Sequence, residues 1–171
     1  MNFRSLLLAA LLLLVVVPVH AAAPEAGSSW MSWDAGLRKA ASVDRPVLVD
    51  VYTDWCGYCR KMDREVYARD DVREYLARRF VTVKVDAESS KPATIAAKRL
   101  TESAVASRFR VTGYPTTVFL KPNGEHLVNV PGYIPADRFL LLLRYIGDGH
   151  LERGVSFDDF VAKAGANSKG R

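Results

Sequence analysis

The chain has 171 residues, a formal net charge of +5 at neutral pH and a hydrophobic content of 49%. Lysine and arginine are interleaved with aspartate and glutamate, as in the segment KMDREVYARDDVREYLARRF, whereas a nucleic-acid-binding surface clusters basic residues without acidic partners. We therefore expect a globular domain with a mixed-charge surface and no nucleic-acid partner.

Residues 1–21 have the pattern of a secretory signal peptide. Arg4 supplies a positive charge, an apolar run covers residues 6–17, and Val19 and Ala21 are the small residues that precede a cleavage site. The apolar run is shorter than the roughly 20 residues that a membrane-spanning helix needs, which favours cleavage over a retained membrane anchor. We therefore expect a periplasmic protein that is not an integral membrane protein once the leader is removed.

The rest of the chain has the length of one ordinary domain. Residues 22–29, rich in alanine, proline, glycine and serine, predict a linker. Residues 30–165 predict a single folded domain, and residues 166–171 predict a flexible tail.

The domain begins with a predicted helix that is followed by a buried strand. Trp30 and Trp33 stand at helical spacing in WMSWDAGLRKAASVDRP, and Pro46 marks the end of this helix. Residues 46–53, PVLVDVYT, form a β-branched apolar run whose single charged member is Asp50. The two cysteines follow at once, at the start of a further helical segment, CRKMDREVY.

The middle of the chain predicts more helices around a second strand. Asp70 or Asp71 is the expected N-cap of an amphipathic helix, DDVREYLARRF. Residues 80–87, FVTVKVDA, predict a strand of the parallel type. Residues 88–110 predict helix in two pieces, with a new helix start at Thr101.

The last third of the chain predicts a hairpin and closing helices. The turn Pro122-Asn123-Gly124 lies between two apolar strands in TGYPTTVFLKPNGEHLVNVPGY. PADRFLLLLRYIG predicts an apolar helix that stops at Gly147, and VSFDDFVAKAG predicts a short further helix. The predicted fold is therefore of the α/β class, with a mixed central sheet, helices on both faces and extra helices at both ends.

The two cysteines of the chain, Cys56 and Cys59, stand three positions apart. A bridge that closes so small a loop removes little entropy from the unfolded chain, so it would be a poor structural staple. A zinc site needs about four ligands, and the histidines that follow the leader, His126 and His150, lie far apart in the sequence. We therefore expect a redox-active pair and no metal or other cofactor.

The position of the pair favours reactivity. Cys56 lies where a buried strand ends and a helix begins, and the free N–H groups and dipole of a helix N-terminus stabilise a thiolate. Cys59, one helical turn further on, is shielded and close enough to attack a mixed disulfide on Cys56. Cys56 is thus the predicted nucleophile and Cys59 the predicted resolving cysteine.

Three separated features resemble the thioredoxin superfamily over residues 47–146. They are the strand-WCxxC-helix segment VLVDVYTDWCGYCRKM, the acid Asp50 six residues before Cys56, and the segment GYPT, in which Pro115 matches the cis-proline of the family. The resemblance implies the thioredoxin fold and a thiol:disulfide oxidoreductase in which Asp50 relays the proton of the resolving cysteine, Cys59.

The resemblance also implies a shallow substrate-binding surface around the cysteines. Its members come from the WCxxC segment and from the loop of the cis-proline: Trp55, Gly57, Tyr58, Tyr114, Pro115 and Thr116. The chain departs from cytosolic thioredoxin at Tyr52, where thioredoxin has a tryptophan, and at Thr82, where thioredoxin has a lysine near the buried acid. Lys84, on the same side of that strand, is a candidate replacement for this lysine.

The segment VYTDWC is similar to exported thioredoxin-like proteins of the DsbD C-terminal-domain and SoxW types. We therefore expect a periplasmic reductase that acts on disulfide-containing or dithiol protein substrates and is recharged by a membrane thiol electron donor. The Gly-Tyr dipeptide and the GYPT segment are also similar to disulfide isomerases, so an isomerase or oxidase is the alternative. A non-catalytic thioredoxin-fold chaperone and a copper-binding module also stay open.

Overall fold

The computed structural model describes residues 30–168. The predicted signal peptide, residues 1–21, and the predicted linker, residues 22–29, lie outside the described residues, as do residues 169–171 of the predicted tail. No helix in the described part of the chain is long and apolar enough to cross a membrane.

The described residues form six strands, β1 Val47–Tyr52, β2 Val81–Asp86, β3 Pro92–Ile95, β4 Lys98–Thr101, β5 Thr116–Leu120 and β6 His126–Pro131. They also form six α-helices, α1 Trp33–Val43, α2 Gly57–Met62, α3 Asp70–Arg79, α4 Glu102–Arg108, α5 Ala136–Gly147 and α6 Phe157–Ser168. Helix α2 continues directly into a π-helical turn, Asp63–Tyr67.

The main sheet has the strand order β2-β1-β5-β6. β1 pairs with β2 in parallel and with β5 in antiparallel, and β5 pairs with β6 across the turn at residues 122–124. β1 is thus a central strand, and its residues from Val47 to Val51 are all buried because helices cover both faces of the sheet. The predicted mixed sheet and the predicted hairpin are confirmed.

A separate apolar core lies on each face of the main sheet. One core joins sheet residues such as Val49 to helices α1 and α4, and the other joins Leu48 to α2, α3 and α5. Because side chains alternate along a strand, Asp50 points into the same layer as Leu48. The sheet therefore directs this acid towards the helix layer that carries the cysteines.

The first helix is shorter than the sequence predicts, since α1 begins at Trp33. Met31 lies beside the edge strand β2 instead, and its N–H donates to the Thr82 carbonyl at 2.9 Å. Main-chain pairing to this strand edge outweighs the helical spacing of the two tryptophans. Trp30 is therefore outside the helix, and its ring packs edge-on against the ring of Tyr67 at 4.9 Å.

The helix predicted over the first half of residues 88–110 is wrong, because residues 92–101 form the hairpin of β3 and β4. Ala93 and Ile95 alternate into the core, while the residues between and before them are exposed. This alternation covers only one short strand, and the alanines of KPATIAAKRL are good helix formers. The local pattern therefore favoured a helix that tertiary contacts override.

Helix α1 holds the hairpin through two side chains. The ring N–H of Trp33 donates to the Thr94 carbonyl at 2.8 Å, and the carboxylate of Asp34 accepts from the Thr94 N–H at 2.7 Å and from its hydroxyl at 3.1 Å. No local pattern predicts contacts between residues so far apart in the chain. The predicted helix start at Thr101 is confirmed, because its hydroxyl accepts from the N–H of Ala104 at 3.2 Å.

The predicted helix near the C-terminus is present as α6 and packs on α5 through aromatic side chains. The ring of Tyr145 lies 5.3 Å from that of Phe157 and 5.6 Å from that of Phe160. His150 is half-buried, and its ring stacks on that of Tyr145 with 6.3 Å between ring centres. The last helix therefore extends the core on the α5 side of the sheet.

The turn between β3 and β4 holds Ala96 and Ala97 in the left-handed region, with φ of 49° and 63°. A two-residue turn of this kind favours Asn-Gly, and alanine is strained there. We predict that the double substitution Ala96→Asn and Ala97→Gly raises the free energy of unfolding by roughly 0.5–1 kcal/mol, measured by urea denaturation. The control, Ala41→Gly on the exposed face of α1, should lower it by up to about 1 kcal/mol. If the double substitution lowered the free energy of unfolding as the control does, the left-handed turn at Ala96 and Ala97 would be contradicted.

Candidate active site

The two cysteines form a disulfide at the start of α2, directly after β1. Cys56 is the N-cap residue with extended backbone, Cys59 lies in the first turn, and their Cα atoms are 5.3 Å apart. The backbone N–H of Cys59 donates to the sulfur of Cys56 at 3.0 Å, a contact that would stabilise a Cys56 thiolate. The predicted position of the pair, where a strand ends and a helix begins, is confirmed.

Both cysteine residues are buried in the disulfide. The sequence predicts that Cys59 is shielded, but the exposed fraction is 4% for Cys59 and also 4% for Cys56. Access to the Cys56 sulfur therefore depends on the side chains and loops that surround the pair.

Asp50 is the acidic residue of β1, and its side chain is buried, with 2% of its surface exposed. Burial raises the pKa of Asp50 from its ordinary value of 3.8 to about 6. The charge of Lys84 opposes this rise in pKa, whereas the Asp63 carboxylate adds to it. A carboxyl group with a pKa close to neutrality can both accept and release a proton under physiological conditions.

Lys84 joins Asp50 to a second carboxylate. It is the partner of Asp50 in the β1–β2 register, and its Nζ lies 3.5 Å from Asp50 Oδ2 and donates to both oxygens of Asp63, at 2.7 and 2.9 Å. Desolvation lowers the pKa of Lys84, but the hydrogen bonds and charges of Asp63 and Asp50 outweigh it and raise that pKa above its ordinary value. The lysine that the sequence offered as a replacement therefore does lie beside the buried acid.

The π-helical turn, Asp63–Tyr67, brings a phenol to the other oxygen of Asp50. The hydroxyl of Tyr67 donates to Asp50 Oδ1 at 3.4 Å and lies 3.5 Å from the hydroxyl of Thr117. Burial, and then the charge of Asp50, raise the pKa of Tyr67 well above its ordinary value of 10.0, so this hydroxyl stays protonated. Both ends of the turn therefore influence the carboxyl group of Asp50, Tyr67 by direct contact and Asp63 through Lys84.

An aromatic pair with one exposed ring lies on the β2 side of the disulfide. Trp55 is 64% exposed, and its indole N–H donates to the carboxylate of Glu88, which follows β2, at 3.0 and 3.1 Å. The ring of Tyr114 meets the Trp55 ring edge-on at 5.9 Å. We call Trp55 and Tyr114 the β2-side pair.

A second aromatic pair lies on the β6 side. Tyr58, between the cysteines, is 63% exposed, and its ring is 6.3 Å from that of Tyr133, which follows β6. The hydroxyl of Tyr133 donates to Glu65 at 3.0 Å, and Lys61 Nζ lies 4.6 Å from the centre of the Tyr133 ring. We call Tyr58 and Tyr133 the β6-side pair. Since β2 and β6 are the two edges of the main sheet, the pairs stand on opposite sides of the disulfide.

The remaining predicted site residues lie in the loop before β5, at the first position of β5 and at the start of α2. The Tyr114–Pro115 peptide bond is cis, and the Pro115 carbonyl accepts from the N–H of Gly132 at 2.8 Å. Thr116 is 2% exposed, and its hydroxyl donates to a carbonyl within the same loop at 2.8 Å. Gly57 is exposed, and a Cβ there would be 3.9 Å from the nearest heavy atom beyond its neighbours.

Four residues of this site were not predicted from the sequence, and they are Asp63, Glu88, Tyr67 and Tyr133. Each meets its partner across a separation of at least 17 positions, so only the folded chain brings them together. Within residues 30–168 no three His, Cys, Asp or Glu side chains are placed to hold a metal ion. The groups that the site does assemble can exchange a disulfide and hold or move a proton.

Comparison with known proteins is consistent with this chemistry. Residues 33–147 match the family model described as a thioredoxin-like domain. The chain is 33% identical over 112 residues to the thiol:disulfide interchange protein DsbD of Ralstonia nicotianae, which covers 65% of the chain and 17% of that protein. It is 28% identical over 116 residues to the thiol:disulfide interchange protein DsbD 1 of Pseudomonas aeruginosa, covering 64% and 18%. The chain thus spans about a sixth of the length of these curated relatives.

Solved structures show the same fold. A thioredoxin-fold protein from Helicobacter pylori superposes with a TM-score of 0.63 at 23% identity, covering 72% of this chain and 82% of that one. A thioredoxin from Thermus thermophilus superposes with a TM-score of 0.55 at 29% identity, covering 71% and 93%. The predicted fold class, with its additional C-terminal helix, is confirmed.

The burial of Asp50 predicts a pH-dependent stability. Because Asp50 binds its proton more tightly in the folded protein, with a pKa of about 6 against 3.8, its ionisation destabilises the fold. This destabilisation is absent below the lower value and complete above the higher one, and about two pKa units correspond to about 3 kcal/mol. Asp50→Asn removes this destabilisation. The change that it causes in the free energy of unfolding should therefore be more favourable at about pH 8 than at about pH 4, by up to about 3 kcal/mol.

The measurement is denaturant unfolding of the oxidised protein at both pH values. Asp54→Asn is the matched control, since it removes an exposed carboxylate close by in the chain, and we expect no such pH-dependent gain from it. Equal gains for Asp50→Asn at both pH values would contradict the raised pKa.

Proposed function

The chain belongs to the thioredoxin-like family, and we propose that it is a thiol:disulfide oxidoreductase whose redox-active group is the Cys56–Cys59 pair. The observation that carries this proposal is the disulfide at the N-terminus of α2, where the Cys59 N–H is directed at the Cys56 sulfur. That contact stabilises the thiolate of Cys56, which is the reactive species in thiol–disulfide exchange.

In the proposed reaction the reduced pair transfers two electrons to a substrate disulfide. The Cys56 thiolate attacks one substrate sulfur, so a mixed disulfide forms and the other substrate sulfur leaves as a thiolate and takes up a proton. Cys59 then loses its proton and attacks the Cys56 sulfur, which breaks the bond to the substrate and forms the Cys56–Cys59 bond. The pair thus gives two electrons to the substrate and releases the single proton of Cys59, and solvent supplies the further proton that completes the second substrate thiol.

We propose that the carboxylate of Asp50 accepts the proton that Cys59 loses. The carboxylate is held by Lys84 and Tyr67 in the layer of α2, and its pKa of about 6 leaves it ionised and able to accept a proton near neutral pH. Lys84 would stabilise the carboxylate before the transfer, and Asp63 would keep Lys84 charged after it. The buried acid thereby promotes the second step, in which the resolving thiol must be deprotonated.

We assign substrate binding to the surface on either side of the disulfide. In each pair an exposed ring, Trp55 or Tyr58, packs beside a half-buried tyrosine, and such ring surface suits the apolar side chains of a protein segment. Gly57, between the two cysteines, is exposed and leaves backbone beside the pair without a side chain. These features support an extended polypeptide as substrate, in agreement with the disulfide-containing or dithiol proteins expected from the sequence.

We further propose that the protein works in the periplasm as a reductase and receives electrons from a membrane thiol donor. The predicted leader, residues 1–21, and the similarity to proteins named thiol:disulfide interchange protein DsbD support this assignment. An isomerase or oxidase is the second candidate, favoured by the Gly57-Tyr58 dipeptide that the sequence shares with disulfide isomerases.

We predict that Cys56→Ala lowers the dithiothreitol-driven reduction of insulin disulfides to the rate of dithiothreitol alone, because no nucleophile remains. Cys59→Ala keeps the nucleophile but cannot resolve the intermediate, so a mixed disulfide with insulin should accumulate on non-reducing electrophoresis. Ser107→Ala, on an exposed position of α4, is the control and should leave the rate unchanged.

Two outcomes would overturn the proposal. Reduction of insulin that survives Cys56→Ala would exclude dithiol exchange through this pair. Stoichiometric retention of Cu(I) on gel filtration, lost on substitution of either cysteine and accompanied by no insulin reduction, would instead support a metal carrier.

A further inference from the structure

A cleft of about 650 Å³ opens at the end of the domain remote from the disulfide. Leu120, just before the β5–β6 turn at the cleft, pairs with Val47 at the start of β1, whereas Cys56 follows the end of that strand. A strand rises about 3.3 Å per residue, so β1 separates the cleft from the disulfide by about 20 Å. We call it the far-end cleft, and its principal lining residues are Trp33, Leu37, Arg108, Phe109, Arg110 and His126.

The far-end cleft has a fixed aromatic wall. Trp33 is 2% exposed, and its ring lies 5.8 Å from that of Phe109. The imidazole of His126 stacks on Phe109, with 5.5 Å between ring centres and 29° between the planes. A flat ring of a ligand can extend this stack, because aromatic groups pack favourably in offset or tilted arrangements.

A hydrogen-bond chain holds the exposed His126 in place. The side-chain N–H group of Asn129 donates to the Phe109 carbonyl at 2.6 Å, which leaves the Asn129 oxygen as the acceptor for His126 Nε2 at 2.8 Å. The imidazole is therefore held at Nε2 by a hydrogen bond and at its face by Phe109. A surface histidine restrained in this way is preorganised to contact a ligand.

The rim of the far-end cleft is positively charged. Arg108 and Arg110 are exposed, and among residues 30–168 neither has a carboxylate within ion-pair distance. The carboxylate of Glu125, which also lines the cleft, is bound by Lys121 at 2.9 Å. Two guanidinium groups are thus available to an anion, for which their planar donor arrangement is well suited.

We propose that the far-end cleft binds a small organic anion that carries a flat ring, such as an aromatic carboxylate, sulfonate or phosphate ester. The ring lies against the Phe109–His126 stack, and the anionic group reaches Arg108 and Arg110. Helices α1 and α4 and the turns β3–β4 and β5–β6 bound the cleft, and its volume is within the roughly 300–1,000 Å³ of small-molecule sites. This site is independent of the disulfide chemistry.

The test is an NMR titration of the ¹⁵N-labelled protein with 2-naphthalenesulfonate, with 2-naphthalenemethanol as the neutral analogue. We expect saturable shifts of the Trp33 indole N–H and of the Phe109 and Asn129 amides, with weaker binding of the neutral compound. Arg108→Gln combined with Arg110→Gln should weaken binding by about tenfold or more, because charge-assisted hydrogen bonds are among the stronger single contacts.

Arg144→Gln is the matched control, because Arg144 is an exposed arginine that lines a different cavity; this variant should retain full affinity. His126→Glu gives a second variant, which places a carboxylate beside the arginines and should also weaken binding. Equal affinity for the charged and neutral compounds, unchanged affinity of both cleft variants, or shifts that lie outside the cleft would each overturn the proposal.

Discussion

The rest of the site depends on the burial of one ionisable carboxyl group, that of Asp50, in the central strand that leads to the disulfide. A buried carboxylate without partners would destabilise the fold by several kcal/mol, and here Lys84 and Tyr67 each contact one of its oxygens. Lys84 is itself held by Asp63, so the buried group belongs to a network that reaches partly exposed side chains. The result is an acid with a pKa of about 6 on the face of the sheet that α2 covers, and the redox pair lies at the N-terminus of that helix.

The topology of the sheet explains how a covered disulfide can still meet other proteins. The pair follows the central strand β1, so each flank faces a segment that continues an edge strand, Glu88 after β2 and Tyr133 after β6. Glu88 accepts from the Trp55 ring, and Glu65 accepts from the Tyr133 hydroxyl. These polar contacts hold apolar rings in place at the surface, which keeps hydrophobic contact area available for a partner at little entropic cost.

The features that the sequence predicted correctly share one property, which is that their signal is local. The strand-to-helix junction at Cys56 and the Asn123-Gly124 turn are each encoded within a few residues. Lys84 was offered as a neighbour of Asp50 by the resemblance to thioredoxin together with strand alternation. The hairpin at Ala96 and Ala97 was missed because its turn lacks the usual Asn-Gly, and its strands are held by side chains of α1. The contacts of Tyr133 and Tyr67 were missed for the related reason that they exist only after packing.

The reduction potential of the Cys56–Cys59 pair, measured in glutathione and dithiothreitol redox buffers, decides whether the protein acts as a reductase. A reductase fed by a membrane donor predicts a value close to that of thioredoxin, about −270 mV. Substitution of Asp50 by Asn should leave this potential less dependent on pH near neutrality. A value between about −180 and −120 mV, the range of protein disulfide isomerase and DsbA, would contradict the reductase assignment and favour an isomerase or oxidase.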